Sequence, residues 1–430
     1  MYYSYPPVMS RQSLGELIID VRTNPMLAPL APLPGTLVTV TERTSSGEER
    51  IVAELETNES GQTEVIPLPT PPVELTLDPL NTIKPFSSYT VQASPEGYTP
   101  VIVEGTQVFA DTQSIQPIQP QSLSRTYRQS GQERIYIIGP PTLFGDFPPK
   151  IPEAELKPTG PASGLVVLDK VLVPEYVIVH LGSPNNVNAP SYRIPYKDYI
   201  KNVASSEIYP TWPRSTIEAN VLAIVSFTLN RVYTEWYRNQ GKAFTITNST
   251  AYDHAFFNGR NIFDSISEVV DDLFSTYILR AGFTQPLLTQ YCDGVQVQCP
   301  TWMTQWGSKN LGDQGKSALE ILRAFYGSNI SLNTAPQVLG IPESYPGTPL
   351  KLGSTGPDVR TIQNQLNNIS RNFPAIPRVA TDGVFGPSTE ASVKAFQNAF
   401  HLTPDGIVGL GTWYRISQVY VGVTQLAELI

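Results

Sequence analysis

The chain has 430 residues, a formal net charge of −9 and only 16% charged residues. That length exceeds one typical core and predicts two to four domains, while the lack of any basic block argues against nucleic-acid binding. Hydrophobic residues at 40% and 21 tyrosines exclude a disordered chain, and 40 prolines among so few charges suit a linker-rich, modular, wall-associated or extracellular protein.

The first residues, Met1 to Val21, lack a cationic start followed by an apolar core, so no secretory signal is visible. No apolar run reaches the roughly 18 residues that predict a membrane span. Cys292 and Cys299 lie close in sequence and are read as either a short-loop disulfide or two packed thiols.

Residues 15–118 read as all-β. Short β-branched runs at Gly15–Val21, Thr36–Thr41 and Tyr89–Ala93 are bounded by Pro, Gly and Asn. Thr57–Thr63 is a polar turn, with Gly61 where a positive φ is expected. This order, closing on Tyr89–Tyr98 and Thr99–Val103, resembles the carboxypeptidase-regulatory-like or Cna-B-like β-sandwich. The resemblance implies a spacer or adhesion platform without a site of its own. Residues 119–165, with Pro140, Pro141, Pro148, Pro149, Pro152, Pro158 and Pro161, predict an extended connector. It includes a strand-like piece at Arg134–Ile138 and is free to lie along a neighbouring domain.

Residues 166–335 open on a strand, Tyr176–Gly182. The stretch Tyr199 to Arg231 follows, holding Glu207 between an apolar helix end and the Ile208-Tyr209-Pro210 turn. After Trp212-Pro213, residues Ile217, Val221, Ile224, Val225, Leu229 and Val232 recur at spacings of three and four, which predicts an amphipathic helix. A second such helix is predicted from Phe263 to Leu279. The Glu207 turn with Trp212-Pro213, the segment Phe244–Thr250, and Thr304-Gln305-Trp306-Gly307-Ser308 leading to Glu320-Ile321-Leu322 resemble the SpoIID family. This is the stage II sporulation protein D and amidase-enhancer group. The resemblance implies an α+β domain and, from the family's lytic transglycosylases, a catalytic role for Glu207. Ser226, Asp253 and Ala255 depart from the family's usual residues, and Tyr291–Cys299 replaces its Ser-Ser-Gly-Gly loop.

Residues 348–430 resemble the peptidoglycan-binding domain 1 family, a three-helix module. The carrying residues are Leu352–Val359, Thr381-Asp382-Gly383-Val384-Phe385-Gly386-Pro387, Phe396-Gln397 and Asp405–Gly409 before Thr412-Trp413. Asp382-Gly383 and Asp405-Gly406 repeat one turn, an internal pseudo-repeat. Proline at a first helical position loses no needed donor and has a suitable φ.

Glycoside cleavage needs a proton on the leaving oxygen, and a carboxyl group supplies it near neutral pH only when its pKa is raised. Val203-Ala204 and Ile208-Tyr209 would disfavour the charged form of Glu207. Hydrolases need a second carboxylate; a lytic transglycosylase uses the muramic acid 6-hydroxyl instead. The bland alternative makes Glu207 a helix-terminal carboxylate in a structural hydrogen bond. Trp212, Gln305 and Trp306 are candidate sugar contacts, and Asp382, Phe385 and Gln397 candidate ligand contacts in the C-terminal module, where Phe396 and Trp413 suit the core. Zinc on Cys292, Cys299 and His254 would lack a fourth ligand, so neither metal nor cofactor is expected. His180 reads as a core or edge histidine and His401 as a surface one.

The expected protein is thus multi-domain α+β: an N-terminal β-sandwich, a central SpoIID-like domain and a C-terminal peptidoglycan-binding module. The expected function is cleavage of the bond between N-acetylmuramic acid and N-acetylglucosamine in the cell wall or spore envelope. Peptidoglycan glycan strands, and a cell-wall amidase, are the expected partners. The alternatives are a non-catalytic wall-binding or assembly protein of a spore envelope or phage-like particle, and an amidase activator.

Overall fold

The computed structural model describes residues 13–44, 46–123, 133–157 and 167–425. The first twelve residues, which make up most of the Met1–Val21 stretch read for a secretory signal, lie outside them, as do parts of the Pro-rich connector.

Eight strands make the N-terminal unit: β1 (Ser13–Val21), β2 (Leu37–Arg43), β3 (Glu49–Glu56), β4 (Ile66–Thr70), β5 (Ser87–Ser94), β6 (Val101–Val108), β7 (Gln113–Ile118) and β8 (Arg134–Ile137). One sheet runs β3-β2-β5-β6-β8, and the other has β1 between β4 and β7. Alternation puts Leu17, Ile19 and Val21 of β1 against Val40, Val91 and Val103 of the facing sheet, all essentially inaccessible to water. Gly61 has φ +77° and a Cβ there would meet the Val21 carbonyl, so the turn at 57–63 requires glycine. The strand-like piece of the connector is β8, hydrogen-bonded in parallel to β6.

The central unit has β9 (Leu172–Val173), β10 (Tyr176–His180), β11 (Ser191–Pro195), α1 (Tyr196–Glu207), α2 (Arg214–Tyr233), β12 (Ile246–Thr247), β13 (Ile262–Phe263) and α3 (Asp264–Leu273). It continues with β14 (Thr276–Arg280), β15 (Tyr291–Cys292), β16 (Met303–Thr304), α4 (Gln305–Asp313), α5 (Ala318–Tyr326), β17 (Ile330–Thr334) and β18 (Gln337–Val338). Helix α2 begins where the sequence places it, but is buried on nearly every side rather than along one face. Its polar residues are accordingly paired: Ser226 donates to the Leu287 carbonyl at 2.9 Å, and Asn230 to that of Pro286 at 2.7 Å. The helix predicted over Phe263–Leu279 stops at Leu273. Beyond it Thr276, Tyr277 and Ile278 pair antiparallel with Thr334, Asn333 and Leu332, so β-branched and aromatic residues take a strand that the local period does not reveal.

Helices α6 (Pro357–Ile369), α7 (Pro387–Ala399) and α8 (Leu410–Thr424) form the C-terminal unit, with Pro357 and Pro387 in the first turns of α6 and α7. The pseudo-repeat is a repeated hydrogen-bond set. Gln363 Nε2 donates to Asp382 Oδ1 at 2.9 Å and to the Val384 carbonyl at 3.0 Å, and Gly383 N–H donates back to its Oε1. Gln397 Nε2 donates to Asp405 Oδ1 at 2.8 Å and the Ile407 carbonyl at 3.0 Å, and Gly406 N–H donates back.

The three units are packed together. Strand β13 extends the N-terminal sheet through β7, and Phe274 meets Tyr414 of α8 edge-on at 5.1 Å. Gly411 of α8 lies so close to α3 that a Cβ would sit 3.1 Å from the Asp271 carbonyl oxygen. Arg22 of the N-terminal unit lies 4.4 Å above the Phe400 ring and pairs with Asp20 at 2.6 Å. His401, read as a surface residue, bonds Asp20 at 2.8 Å and Gln62 at 3.0 Å instead. Among the described residues no helix is long and apolar enough to cross a membrane.

Candidate active site

Glu207 is the last residue of α1 and is 2% exposed. Two outside groups fix its main-chain carbonyl, Gln305 Nε2 at 2.9 Å and Thr142 Oγ1 at 3.3 Å. Its carboxylate accepts from Ala255 N–H at 2.7 Å on Oε1 and from the Tyr291 hydroxyl on Oε2. The carboxylate reaches a cavity of about 50 Å³ bordered by Phe147, Lys150, Tyr291, Asp293 and Gln305.

Burial pushes the Glu207 carboxyl up to about 7, against the opposing pull of Lys150, the Tyr291 hydroxyl and the Ala255 N–H. Burial likewise lowers the Lys150 ammonium, which donates to the Asp253 carbonyl and lies 5.1 Å from the Tyr291 ring centre. His254 stacks near Tyr291 with ring centres 6.0 Å apart and shares a 3.0 Å hydrogen bond with the Tyr199 hydroxyl. Burial, then Lys150 and Arg231, hold this imidazole neutral. The site therefore contains one carboxyl group poised near neutrality among groups that donate to its ionised form.

Asp253 belongs to a separate buried network. It accepts from Arg231 Nε at 2.8 Å, the Tyr237 hydroxyl at 2.6 Å and Thr247 Oγ1 at 2.7 Å. Arg231 in turn reaches Glu153 of the connector at 2.6 Å. These pairs fix the backbone that presents Ala255 N–H to Glu207. Asp293, the other carboxylate at the cavity, accepts from Gln296 N–H at 2.5 Å and Val297 N–H at 2.7 Å and so shapes its own loop. Cys292 and Cys299 close that loop as a disulfide, which resolves the two readings of the cysteines. Among the described residues no group of three or more His, Cys, Asp or Glu could hold a metal ion.

Other candidates fall into different places. Gln305 borders the cavity but holds the Glu207 backbone. Trp212 is 3% exposed, donates through Nε1 to the Thr76 carbonyl at 2.9 Å and packs on Trp306 at 5.0 Å. That burial corrects its reading as a sugar-stacking surface; Trp306 is only half-buried. In the C-terminal unit Phe385 is fully buried and Gln397 is 1% exposed with its amide engaged in the turn, so both are structural rather than open to ligand. Asp382 is exposed, although its Oδ1 also caps the turn through Val384 N–H at 2.9 Å. Phe396 and Trp413 are core, and His180 is buried, stacked on Phe244 at 4.5 Å. Lys150 and Tyr291 went unnamed as site residues in the sequence reading. A lysine in a Pro-rich stretch carries no local signal, whereas Tyr291 opens the Tyr291–Cys299 segment in which the resemblance to the SpoIID family breaks.

Residues 355–416 match the peptidoglycan binding domain family. The zinc D-Ala-D-Ala carboxypeptidase of Streptomyces albus G is 39% identical over 71 residues, 16% of this chain and 26% of that protein. An uncharacterized protein in the bpoA1 3' region of Kitasatospora aureofaciens is 38% identical over 68 residues, 16% of this chain and 53% of that protein. The chain thus spans well under two thirds of either relative. A transthyretin structure from Sparus aurata matches 25% of this chain and 91% of that chain at 12% identity, with a TM-score of 0.15, which carries no argument. The C-terminal unit is accordingly a peptidoglycan-binding domain, and association with the cell wall follows from it.

Proposed function

We propose that this chain remodels peptidoglycan, its C-terminal domain holding it on the polymer while Glu207 acts as acid and base of a lytic transglycosylase. The observation that carries this reading is a buried carboxyl group raised to about 7 at a cavity, held by Tyr291 and Ala255. In its acid form Glu207 gives its proton to the oxygen joining N-acetylmuramic acid to N-acetylglucosamine, and the bond from that oxygen to C1 breaks. The 6-hydroxyl of the same muramic acid then bonds C1 and returns its proton to the Glu207 carboxylate. The product is a 1,6-anhydro sugar and no water is consumed. Tyr291, Ala255 N–H and the nearby Lys150 stabilise the carboxylate between the two transfers. Tethering keeps the glycan at high local concentration, and Trp306 is the half-buried aromatic beside α2 proposed to meet sugar. A sporulation setting and an amidase partner belong to the same proposal and rest on the sequence resemblance alone.

One observation favours a second reading, a non-catalytic wall-binding or assembly protein. The cavity at Glu207 is about 50 Å³, against roughly 300–1,000 Å³ for sites that enclose a ligand. Mass spectrometry of peptidoglycan, native and amidase-treated, after incubation with the full chain separates the possibilities. Anhydromuramoyl ends support the transglycosylase, new reducing ends indicate a hydrolase instead, and binding without either supports the second reading.

A further inference from the structure

A second cavity lies elsewhere, where all three units meet. It is about 220 Å³ and is lined by the 25–30 loop, the start of α1, β9 to β10, β18 and α8. Its walls include Leu30, Val173, Phe274, Val338 and Val419. Three residues with polar groups also line it from well-packed positions. Tyr196 is 2% exposed and its hydroxyl has no hydrogen-bond partner among the described residues. Nε of Arg415 is likewise buried without a partner. Lys197, also 2% exposed, meets Asp271 at 2.5 Å.

The charges around these groups do not balance. Asp271 is already paired with Lys201 at 2.7 Å as well as with Lys197, and Arg415 adds a third cation to its surroundings. A buried hydroxyl and guanidinium nitrogen without partners, beside surplus positive charge, are costly unless an anion takes their hydrogen bonds. The carboxylates that line the cavity itself, Glu175 and Asp198, are exposed and so belong to its mouth. Arg193, also exposed, lies 3.1 Å over the Tyr176 ring.

We infer that this cavity binds an apolar zwitterion, an amino acid or short peptide. Its carboxylate meets Tyr196 and Arg415, its ammonium meets Glu175 and Asp198, and its side chains lie on the apolar walls. Because the walls come from all three units, occupancy favours their docked arrangement. The site is separate from Glu207 and does not depend on the activity proposed above.

Isothermal titration of the full chain with D-alanyl-D-alanine and with L-alanyl-L-leucine tests this. Saturable binding to either is expected, with the preference identifying a wall-type or an ordinary peptide source. Amidating the carboxylate or acetylating the amine should weaken binding about tenfold or more. Tyr196→Phe removes only the hydroxyl, and Arg415→Gln keeps a polar side chain; each should weaken binding severalfold at an unchanged unfolding midpoint in the free protein. Heats absent with both dipeptides, equal binding of acid and amide, or affinity unchanged in both variants would overturn the assignment.

Discussion

His401 of the C-terminal module bonds Asp20 of the first strand at 2.8 Å across 381 positions of sequence. Asp20 also pairs with Arg22, whose guanidinium covers Phe400, so one buried cluster joins the ends of the chain. Burial opposes ionisation of Asp20, but Arg22 and then His401 outweigh it and hold the carboxyl below its ordinary 3.8. A lowered carboxyl contributes stability that is present above that ordinary value and disappears as pH falls through the lower folded value. Asp20→Asn should therefore destabilise the protein at pH 7 by on the order of 3 kcal/mol, since it strands Arg22. The difference should shrink below about pH 3.8. Urea unfolding at pH 7 and pH 3 measures both.

Glu207 predicts the opposite sign. Its carboxyl is raised from 4.5 to about 7, so its contribution is fully favourable below 4.5 and is lost as pH rises through 7. Glu207→Gln should leave stability near unchanged at pH 4 and raise it at pH 8 by on the order of 3 kcal/mol. Urea midpoints of the parent and variant at the two pH values check it. A gain of equal size at both would contradict burial as the cause.

The disulfide closes a loop seven residues in sequence separation, beginning next to Tyr291. Constraining a loop of that size contributes about 2.5 kcal/mol through the unfolded chain. Cys292→Ser with Cys299→Ser should lower stability by about that amount. By loosening Tyr291 it should also slow any turnover more than it weakens wall binding. Thermal unfolding, pull-down on insoluble peptidoglycan and product release, measured on the same sample, separate the three effects.

In the C-terminal module Gln363 and Gln397 perform the same task in two turns. Replacing either with alanine strands a buried glycine N–H and a carbonyl, and each variant should lose about 2–4 kcal/mol. Gln363→Ala and Gln397→Ala should give similar losses in urea unfolding, because the bond sets match. A loss confined to one would mean that the repeat is one of sequence rather than of energy.

Strands β1, β2, β5, β8 and β10 and the C-terminal helices were legible because their hydrophobic spacing and turn residues are local. The end of the Phe263–Leu279 stretch was not: its apolar positions fit a helix throughout, and only pairing with residues 330–334 makes its last four residues a strand. Glu207 was visible through its resemblance, together with its apolar neighbours. Lys150 was not, since it reaches the site from a Pro-rich connector held to α2 by the Glu153–Arg231 pair. Trp212 illustrates the reverse error. An aromatic next to a candidate acid suggests a sugar platform, but the N-terminal unit covers it through Thr76. Docking between units leaves no period in the sequence, and for that reason His401 read as surface.

The most direct measurement of the central claim compares the parent and Glu207→Gln on amidase-treated peptidoglycan at pH 6, scoring anhydromuramoyl ends by mass spectrometry. Such ends are expected from the parent and at least a hundredfold fewer from the variant, the size expected for loss of a general acid. Equal yields from both would remove Glu207 from the chemistry. No ends from either, with wall binding intact, would leave the chain a wall-binding protein without this reaction.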